Sequence, residues 1–428
     1  MPNVSFIGKT IVDQIHTTLP PRALVTRAGK GLGTGHGVDQ GNLVVHGDNL
    51  ASLHALLPLH AGAIDCIYGD PPYNTGNSGW LYNDNVSTPL LDAWFEETGI
   101  RQALQGSKVH AKDPQRHDKW MAMMWPRLRL MHALLSPQGA VFLSIDDDEH
   151  HMLRAMCDEI FGRRNFVASV VWEKKATRTN DARHLSDSHD YVLIYAKSKE
   201  HFRPKRLPRT PEADAHYTNP DHDPEGPWQT FPLHAKSGSN TAPFTFPNGI
   251  TWAPPKGTYR RLTDAEMLRS YEDGRIVFPK GGKGTPRRKK YLHEMDDLVP
   301  TTLWTKEEVG TNSTARGEIK GVFSGQDALF DTPKPLSLLT RIVQMATGPD
   351  SIVLDPFAGS GTTGHAVWEV NQQDGGRRRF VLLECESYAD TITAERLRRV
   401  AQGVSGMKDG RFSQGYPGVG FAFAALES

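Results

Sequence analysis

The feature that most constrains the fold is an apolar strand that runs into a glycine-rich turn, within residues 351–367. The apolar residues end at Asp355, and Gly359 and Gly361 precede a helical pattern. Glycine allows the backbone to approach a ligand closely and to adopt a positive φ, and the first turn of a helix offers free N–H groups. A second apolar strand ends at Glu384, where folds of this kind hold ribose hydroxyls. This succession predicts an α/β sheet that binds a nucleotide-like cofactor.

Two cofactors fit this turn, and its details favour one of them. Residues 359–364 satisfy the letters G-x-G-x-x-G of the dinucleotide fingerprint, but the turn begins with Asp355, Pro356 and Phe357. An acid at the strand end would repel the pyrophosphate of NAD, whereas it suits the ammonium group of a methionine moiety. We expect Phe357 to lie near a sulfonium, because an aromatic face favours positive charge. S-adenosylmethionine is therefore predicted ahead of NAD.

A second chemical motif is Asp70-Pro71-Pro72-Tyr73, which ends the apolar run 63–69. The prolines stop the strand, and they leave the Asp70 carboxylate and the Pro71 carbonyl as acceptors at a stiff terminus. The exocyclic amino group of a nucleobase is a poor nucleophile, because its lone pair is delocalised into the ring. Two acceptors that each take one N–H would turn that lone pair toward an electrophile, and Tyr73 would stack on the base. By itself, the tetrapeptide is also compatible with an ordinary strand-to-loop turn.

Together, the two motifs resemble those of the amino-methyltransferases of DNA, and their order along the chain is similar to that of the beta group. The finer resemblance is to the modification subunits of type III restriction systems and their solitary relatives. It covers most of residues 41–200 and 326–400. Beside the two motifs, it rests on residues 46–50, 144–147, 187–197 and 331–336. Residues 201–325 do not match the family.

This resemblance implies a Rossmann-like S-adenosylmethionine-dependent methyltransferase fold of the α/β class. Its features are a mostly parallel sheet with one antiparallel strand, a permuted motif order and an inserted DNA target-recognition region. The implied reaction is methyl transfer to N6 of an adenine that is extruded from double-stranded DNA. Two alternatives stay open: methylation of N4 of cytosine, and a specificity subunit of a restriction-modification complex that is inactive alone. Besides DNA, a second copy of the chain in a homodimer and a restriction subunit are candidate partners.

The predicted site residues fall into two groups. The catalytic residues are Asp70, Pro71, Pro72 and Tyr73. The resemblance adds Asp48, at the adenine of the cofactor, and Thr332 and Lys334, near its methionine end, to the residues of the glycine turn. The predicted cofactor-binding residues are therefore Asp48, Thr332, Lys334, Asp355, Phe357, Gly359, Gly361, Thr362 and Glu384.

Motifs and composition divide the chain into five segments. These are an N-terminal arm (1–40, with a flexible linker at 28–37), a catalytic half (41–200, with a mobile active-site loop at 74–87), a target-recognition insertion (201–325), a cofactor-binding half (326–405) and a C-terminal tail (406–428). The insertion is rich in proline and glycine and has weak periodicity, which favours recognition loops over a repeated core pattern.

Charge gives a local indication of a nucleic-acid partner. The totals of 49 Lys+Arg and 49 Asp+Glu cancel, but basic residues outnumber acidic ones in residues 163–209 and 256–290, where aromatics interleave with them. Such faces fit phosphate contact and base stacking, although a solvated charged surface has the same composition. Residues 280–290 are predicted to form a flexible basic loop. The predicted DNA-binding residues are Lys174, Lys175, Lys283, Arg287, Arg288, Lys289 and Lys290.

Several classes of protein and site are disfavoured. The three cysteines are widely spaced, which argues against disulfides and structural zinc. Acids and histidines at residues 146–151 precede a helical pattern, so helix capping accounts for them more simply than a metal does. No apolar run approaches membrane-spanning length, and the N-terminus lacks the apolar core of a signal peptide. We therefore predict a cytoplasmic protein with no metal and no membrane partner.

Overall fold

The computed structural model describes residues 3–33, 37–75, 116–178, 182–282, 284–325 and 330–427. The chain divides into two compact units, Met1–Lys205 with Pro300–Ser428, and Arg206–Val299. The second unit is shorter at both ends than the insertion predicted at residues 201–325, because residues 201–205 and 300–325 belong to the first unit. No helix among the described residues is long and apolar enough to cross a membrane.

The strands, in chain order, alternate with helices through most of the first unit. They are β1 (Leu24–Thr26), β2 (Leu43–His46), β3 (Ile64–Gly69), β4 (Leu135–Ile145), β5 (Phe166–Glu173), β6 (His189–Ala196), β7 (Trp228–Pro232), β8 (His234–Ala235), β9 (Phe244–Thr245), β10 (Thr251–Trp252), β11 (Tyr259–Arg260), β12 (Ile276–Val277), β13 (Arg287–Tyr291), β14 (Leu303–Trp304), β15 (Ile352–Asp355), β16 (Arg379–Glu384) and β17 (Ala422–Leu426).

The helices vary from single turns to nineteen residues. They are α1 (Lys9–Val12), α2 (Ile15–Thr18), α3 (Asn49–His60), α4 (Arg116–Leu134), α5 (His150–Cys157), α6 (Pro211–Asp214), α7 (Asp264–Glu272), α8 (Lys306–Val309), α9 (Asn312–Val322), α10 (Leu336–Ala346), α11 (Thr362–Asp374), α12 (Glu395–Gln402) and α13 (Gly410–Ser413).

One mostly parallel sheet forms the centre of the first unit. Within the described residues its order is β1-β17-β2-β16-β15-β3-β4-β6-β5-β14. β6 runs antiparallel to β4 and β5, and β1 runs antiparallel to β17, while the other pairs are parallel. The predicted fold, a mostly parallel sheet with an antiparallel strand, is confirmed, and β1 adds a second antiparallel strand at the far edge.

The burial of the central strands explains why their sequences are apolar runs rather than alternating patterns. Every residue of β15 is buried, and so are the first three residues of β2, so both faces of the sheet are covered. On one face, α3 and α4 pack with these strands, and Trp120 and Trp125 of α4 are fully buried. α3 begins at Asn49, and the Asp48 carboxylate caps it by accepting the Ala51 N–H at 2.9 Å.

The predicted N-terminal arm and C-terminal tail are parts of this unit, which corrects the sequence-based view of both. β17 lies beside β2, and β1 pairs with β17, with Leu24 opposite Leu426. Phe6, Val12 and Ile15 are buried in the same core cluster as α4, and Leu32, in the predicted linker, forms an isolated bridge to Phe421. A three-residue edge strand and two single-turn helices are too short to produce a readable periodicity.

The second unit holds small antiparallel sheets around an aromatic cluster. Its largest sheet has the order β12-β13-β7, and Phe246 and Trp252 are in the buried cluster beside it. β13 corrects the prediction of a flexible basic loop over residues 280–290, because Arg287–Tyr291 is the central strand of that sheet. The Arg287 guanidinium donates to the hydroxyl and the carbonyl of Thr230, on the paired strand.

Candidate active site

The acidic site residues lie at one edge of the first unit's sheet. β2, β3, β15 and β16 are parallel and end at the same edge. Asp355 and Glu384 are the last residues of β15 and β16, Asp70 follows β3, and Asp48 comes two residues after β2. Ligands of open α/β sheets bind outside the carboxyl ends of the strands. The topology therefore places four predicted acids on the side of the sheet where a ligand would bind.

The Asp70 turn is held by contacts on both sides. The Tyr73 hydroxyl donates to Asp70 Oδ1 at 2.9 Å, and the Lys334 ammonium donates to Oδ2 at 2.5 Å. The same ammonium lies 5.2 Å from the centre of the Tyr73 ring. From α4, the Trp120 indole N–H donates to the Pro72 carbonyl at 2.6 Å. Lys334, predicted as a cofactor residue, is thus also a direct partner of the predicted catalytic carboxylate.

The turn after β15 requires glycine at two positions. Gly359 has φ 50° and Gly361 has φ 78°. A Cβ at position 359 would lie 3.0 Å from the Phe330 ring, and one at position 361 would lie 2.8 Å from the Thr393 carbonyl oxygen. α11 begins directly afterwards, at Thr362. The predicted strand, glycine turn and helix N-terminus are therefore confirmed as a continuous backbone cradle.

Two buried carboxyl groups support this cradle. Asp355 accepts the Thr363 hydroxyl at 2.5 Å, and Glu384 accepts the Gly359 N–H at 2.8 Å. Burial raises the pKa of Asp355 to about 7, against the effect of its hydrogen bonds. Burial likewise raises the pKa of Glu384 to about 7, although two backbone N–H groups donate to it. Near neutral pH each group can therefore be neutral or charged, and a cationic ligand would favour the charged form.

A cleft brings Asp70 together with residues of the glycine turn. Of the predicted residues, Asp70 and six cofactor candidates line it, whereas Pro71, Pro72, Tyr73, Asp48, Gly361 and Glu384 do not. Asp48 caps α3 and lies 3.3 Å from the Arg127 guanidinium. The lining residues are Tyr68, Asp70, Phe330, Thr332, Pro333, Lys334, Leu339, Asp355, Phe357, Ala358, Gly359, Ser360, Thr362 and Thr363.

Two aromatic residues of the cleft were missed in the sequence. Tyr68 is buried, and its hydroxyl lies 2.9 Å from the Ser144 hydroxyl. Alternation along β3 places Tyr68 on the same side as Asp70, so the sequence did carry a signal for it. Phe330 packs against Gly359 and edge-on against Tyr388, with ring centres 5.5 Å apart. No local pattern marks Phe330, because its role depends on a turn that lies nearly thirty residues further on.

The predicted DNA-binding lysines near β5 have different surroundings. Lys174 is buried, and its ammonium lies 2.7 Å from both Asp187 and Asp190. Lys175 is exposed over 40% of its side chain and lies 4.0 Å from Asp187. Lys283 lies outside the described residues, as does the predicted active-site loop from residue 76 onward. Of the two described lysines, Lys175 is the one accessible to a phosphate.

The basic strand β13 also separates into two faces. The Lys289 ammonium lies 2.5 Å from Asp221 and 2.6 Å from Asp223, and its side chain is 7% exposed. Arg288 and Lys290 point to the other face of the strand, because side chains alternate. Lys289 is therefore a structural ion-pair partner in this unit.

The run of acids and histidines at residues 146–151 surrounds the start of α5. Asp146 accepts the Asp148 N–H at 3.0 Å in the turn before the helix, whereas Glu149, at the N-cap position, makes no capping hydrogen bond with its side chain, so the predicted capping of α5 is wrong. Across the part of the chain that the structure describes, no group of three or more His, Cys, Asp or Glu residues could hold a metal ion. Glu149 has another role, because it is fully buried and contacts Asn74, the residue after Tyr73.

The sheet, the glycine cradle and the Asp70 turn at one edge define an α/β methyltransferase fold. More narrowly, the chain belongs to the DNA methylase family, whose family model matches residues 64–395.

Three relatives illustrate this membership. The Mod subunit of the type III restriction-modification enzyme StyLTI from Salmonella typhimurium is 35% identical over 389 residues, which cover 84% of this chain and 57% of the relative. The EcoPI Mod subunit of Escherichia phage P1 is 30% identical over 419 residues, which cover 89% of this chain and 63% of the relative. The type II methyltransferase M.KpnI of Klebsiella pneumoniae is 30% identical over 364 residues, with a coverage of 79% for each chain. The chain thus spans about three-fifths of the two type III relatives.

Proposed function

We propose that this chain transfers a methyl group from S-adenosylmethionine to N6 of adenine in double-stranded DNA. One observation carries the proposal: Asp70 lines the same cleft as Asp355, Phe357 and Gly359. An amino group bound at Asp70 and a cofactor bound on the glycine turn would therefore meet in one space. Membership of the DNA methylase family supports the same reaction.

The residues of the cleft fit the proposed cofactor. Gly359 lines the cleft and has no side chain to cover its backbone, so a ligand can lie against this part of the turn. The Phe357 ring and the buried Asp355 carboxyl group suit a cationic ligand, and the α11 N-terminus suits a carboxylate. When bound, S-adenosylmethionine supplies a methyl group that its sulfonium already activates.

The chain's own contribution is to bind and orient the target amino group. Asp70 and the Pro71 carbonyl would each accept one N–H of N6, which directs the nitrogen lone pair away from the base ring. The Lys334 ammonium already donates a hydrogen bond to Asp70. The amino group would donate to Asp70 either beside this bond or in place of it. Tyr73 would stack on the extruded base. The catalytic effect is thus positioning, which can supply much of the barrier reduction when the attacking group is already activated.

The proposed partners are inferred from the relatives. Two of the named relatives are Mod subunits of type III restriction-modification enzymes, so a restriction subunit is a proposed partner beside duplex DNA. A homodimer and a cytoplasmic location remain predictions from the sequence.

The decisive experiment compares Asp70→Ala with Asp350→Ala, a control in an exposed loop of the same unit. We expect Asp70→Ala to bind S-adenosylmethionine and DNA but to transfer the methyl group at least a hundredfold more slowly, since loss of one well-placed transition-state hydrogen bond costs about 3 kcal/mol. Single-turnover transfer to duplex DNA gives the rate, and digestion of the product identifies the base. A near-normal rate for Asp70→Ala would refute the mechanism, and N4-methylcytosine as the product would establish the alternative substrate.

A further inference from the structure

Glu149 is a fully buried carboxyl group that the proposed mechanism does not use. It precedes α5, and its Oε1 lies 2.6 Å from the Asn74 amide nitrogen and 2.7 Å from His117 Nδ1. The His117 ring donates to this oxygen in the tautomer that carries a proton on Nδ1, and in the other tautomer it accepts from the protonated carboxyl group. Within the described residues, Glu149 Oε2 has no hydrogen-bond partner. Burial raises the pKa of Glu149 to about 8, and the Asn74 bond and the Arg116 charge act against that rise.

Asn74 connects this carboxyl group directly to the Asp70 turn. It is the residue after Tyr73, it is 1% exposed, and it has φ 61°, in the left-handed region. A residue other than glycine pays about 1 kcal/mol or more for that conformation, although Asn tolerates it better than most. Its side-chain amide donates one hydrogen to Glu149 and the other to the Arg116 carbonyl, at 3.2 Å. Both contacts favour a backbone conformation that the chain would otherwise avoid.

The Asp70 turn is consequently fixed at two points. Trp120 donates to the Pro72 carbonyl from α4, and Glu149 holds Asn74 two residues further on. Arg116 and His117 begin α4, so the same carboxyl group also joins the start of that helix to the end of the turn. Between these two points lies Tyr73, whose hydroxyl contacts Asp70.

We propose that Glu149 is a positioning residue for methyl transfer, which acts through Asn74 to hold Asp70 and Tyr73 where the target amino group must bind. This inference rests on the proposed function. It predicts that what matters is the acceptor oxygen of residue 149 and not its charge. A glutamine side chain keeps such an oxygen for Asn74 and His117, whereas methionine keeps the length and volume but offers no strong acceptor.

The test compares single-turnover methyl transfer by Glu149→Met, Glu149→Gln and Asn74→Gly at saturating DNA and cofactor. Glycine accepts the positive φ, so Asn74→Gly removes the amide without adding backbone strain. We expect Glu149→Met and Asn74→Gly to be about 10- to 100-fold slower, because small misplacements of reacting groups have effects of this size. Glu149→Gln should stay within about threefold of the unchanged chain, and calorimetry should give an unchanged cofactor affinity for all three variants.

A double variant shows whether Glu149 and Asn74 act through one shared contact or whether each substitution slows methyl transfer independently. If Glu149 acts through Asn74, Glu149→Met combined with Asn74→Gly should be no slower than the slower single variant. Multiplied effects would overturn the proposal, and so would a Glu149→Gln variant as slow as Glu149→Met. Should Glu149→Met fail to fold, Asn74→Gly and Glu149→Gln carry the test, and a normal rate for Asn74→Gly overturns it.

Hydrogen exchange provides a readout that does not depend on methyl transfer. The amides of the peptide 68–75 should exchange faster in Asn74→Gly and Glu149→Met than in the unchanged chain or Glu149→Gln. Equal exchange in all four proteins would refute the proposal that Glu149 holds the Asp70 turn through Asn74. If the unchanged chain transferred no methyl group, the proposed function would fail, whereas the exchange result would still decide whether Glu149 holds the turn.

Discussion

The ammonium of Lys334 lies 2.5 Å from Asp70 Oδ2, which joins two residues 264 positions apart in the chain. Lys334 directly precedes Pro335 and α10, whereas Asp70 follows β3. Their side chains are 9% and 18% exposed, so the ion pair is largely shielded from water. The contact ties the segment that leads into α10 to the Asp70 turn, across the cleft that both residues line.

Because Lys334 and Asp70 form an ion pair, we expect a coupling free energy between them. Lys334→Met and Asp70→Asn should each lower the free energy of unfolding of the ligand-free chain, because each removes one partner of a shielded pair. The destabilisation of the double variant should be about 1–2 kcal/mol smaller than the sum of the two single destabilisations. Denaturant unfolding of the four proteins measures this difference. Additive effects would mean that the two charges do not interact in solution.

Stability should also depend on pH through the buried acids of the cradle. Asp355 and Glu384 have pKa values raised by burial to about 7, whereas their ordinary values are 3.8 and 4.5. Between about pH 4 and 7, the folded chain therefore holds protons that the unfolded chain has released. The free energy of unfolding should fall as the pH rises through this window, by up to about 1.4 kcal/mol per pH unit for each group.

Glu384→Gln isolates one of these two contributions, because it imitates the protonated acid at every pH. The fall in unfolding free energy between pH 5 and 8 should be shallower than in the unchanged chain. Glu307→Gln, at an exposed side chain, is the matched control and should leave the slope as it was. Parallel curves for Glu384→Gln and the unchanged chain would show that Glu384 does not release a proton in this range.

In the basic strand β13, substitutions can distinguish residues that contact DNA phosphates from a residue that forms structural ion pairs. If Arg288 and Lys290 contact phosphates, replacing either with Ala should weaken binding to all DNA sequences alike. The log–log dependence of affinity on salt should then become shallower by about 0.9 for each phosphate that is no longer neutralised. Lys289→Ala should instead lower the melting temperature and leave the salt slope unchanged, because Lys289 is paired with Asp221 and Asp223. A reduced slope for Lys289→Ala alone would contradict this assignment.

The local elements of the fold could be predicted because their signals are local. Apolar runs indicated β3, β15 and β16, since strands buried on both faces are continuously apolar. Asp70, Asp355 and Glu384 lie on the same side of the sheet because β3, β15 and β16 are parallel and end at one edge.

What the sequence could not reveal depends on partners far along the chain. The pairing of β1 with β17 joins the two ends of the chain, and β14 contributes only two residues to the sheet. Lys289 was taken as a phosphate contact because its charge is visible in the sequence, whereas its pairing with acids more than sixty residues away is not. The contact between Asn74 and Glu149 is of the same non-local kind.

Tyr73 offers the last prediction, since its ring and its hydroxyl have separable roles. The hydroxyl donates to Asp70 Oδ1 at 2.9 Å, and burial raises the pKa of this phenol, so it remains a donor over the working pH range. Tyr73→Phe should keep the stacking surface and bind an extruded base normally, but single-turnover transfer should slow by about 5- to 10-fold, as expected for the loss of one hydrogen bond of about 1 kcal/mol. Tyr73→Ala should also weaken capture of the base, by about 1–3 kcal/mol of stacking. Fluorescence of 2-aminopurine at the target position reports capture, and the rate of methyl transfer reports orientation. Equal capture by Tyr73→Ala and Tyr73→Phe would show that the ring does not stack on the base.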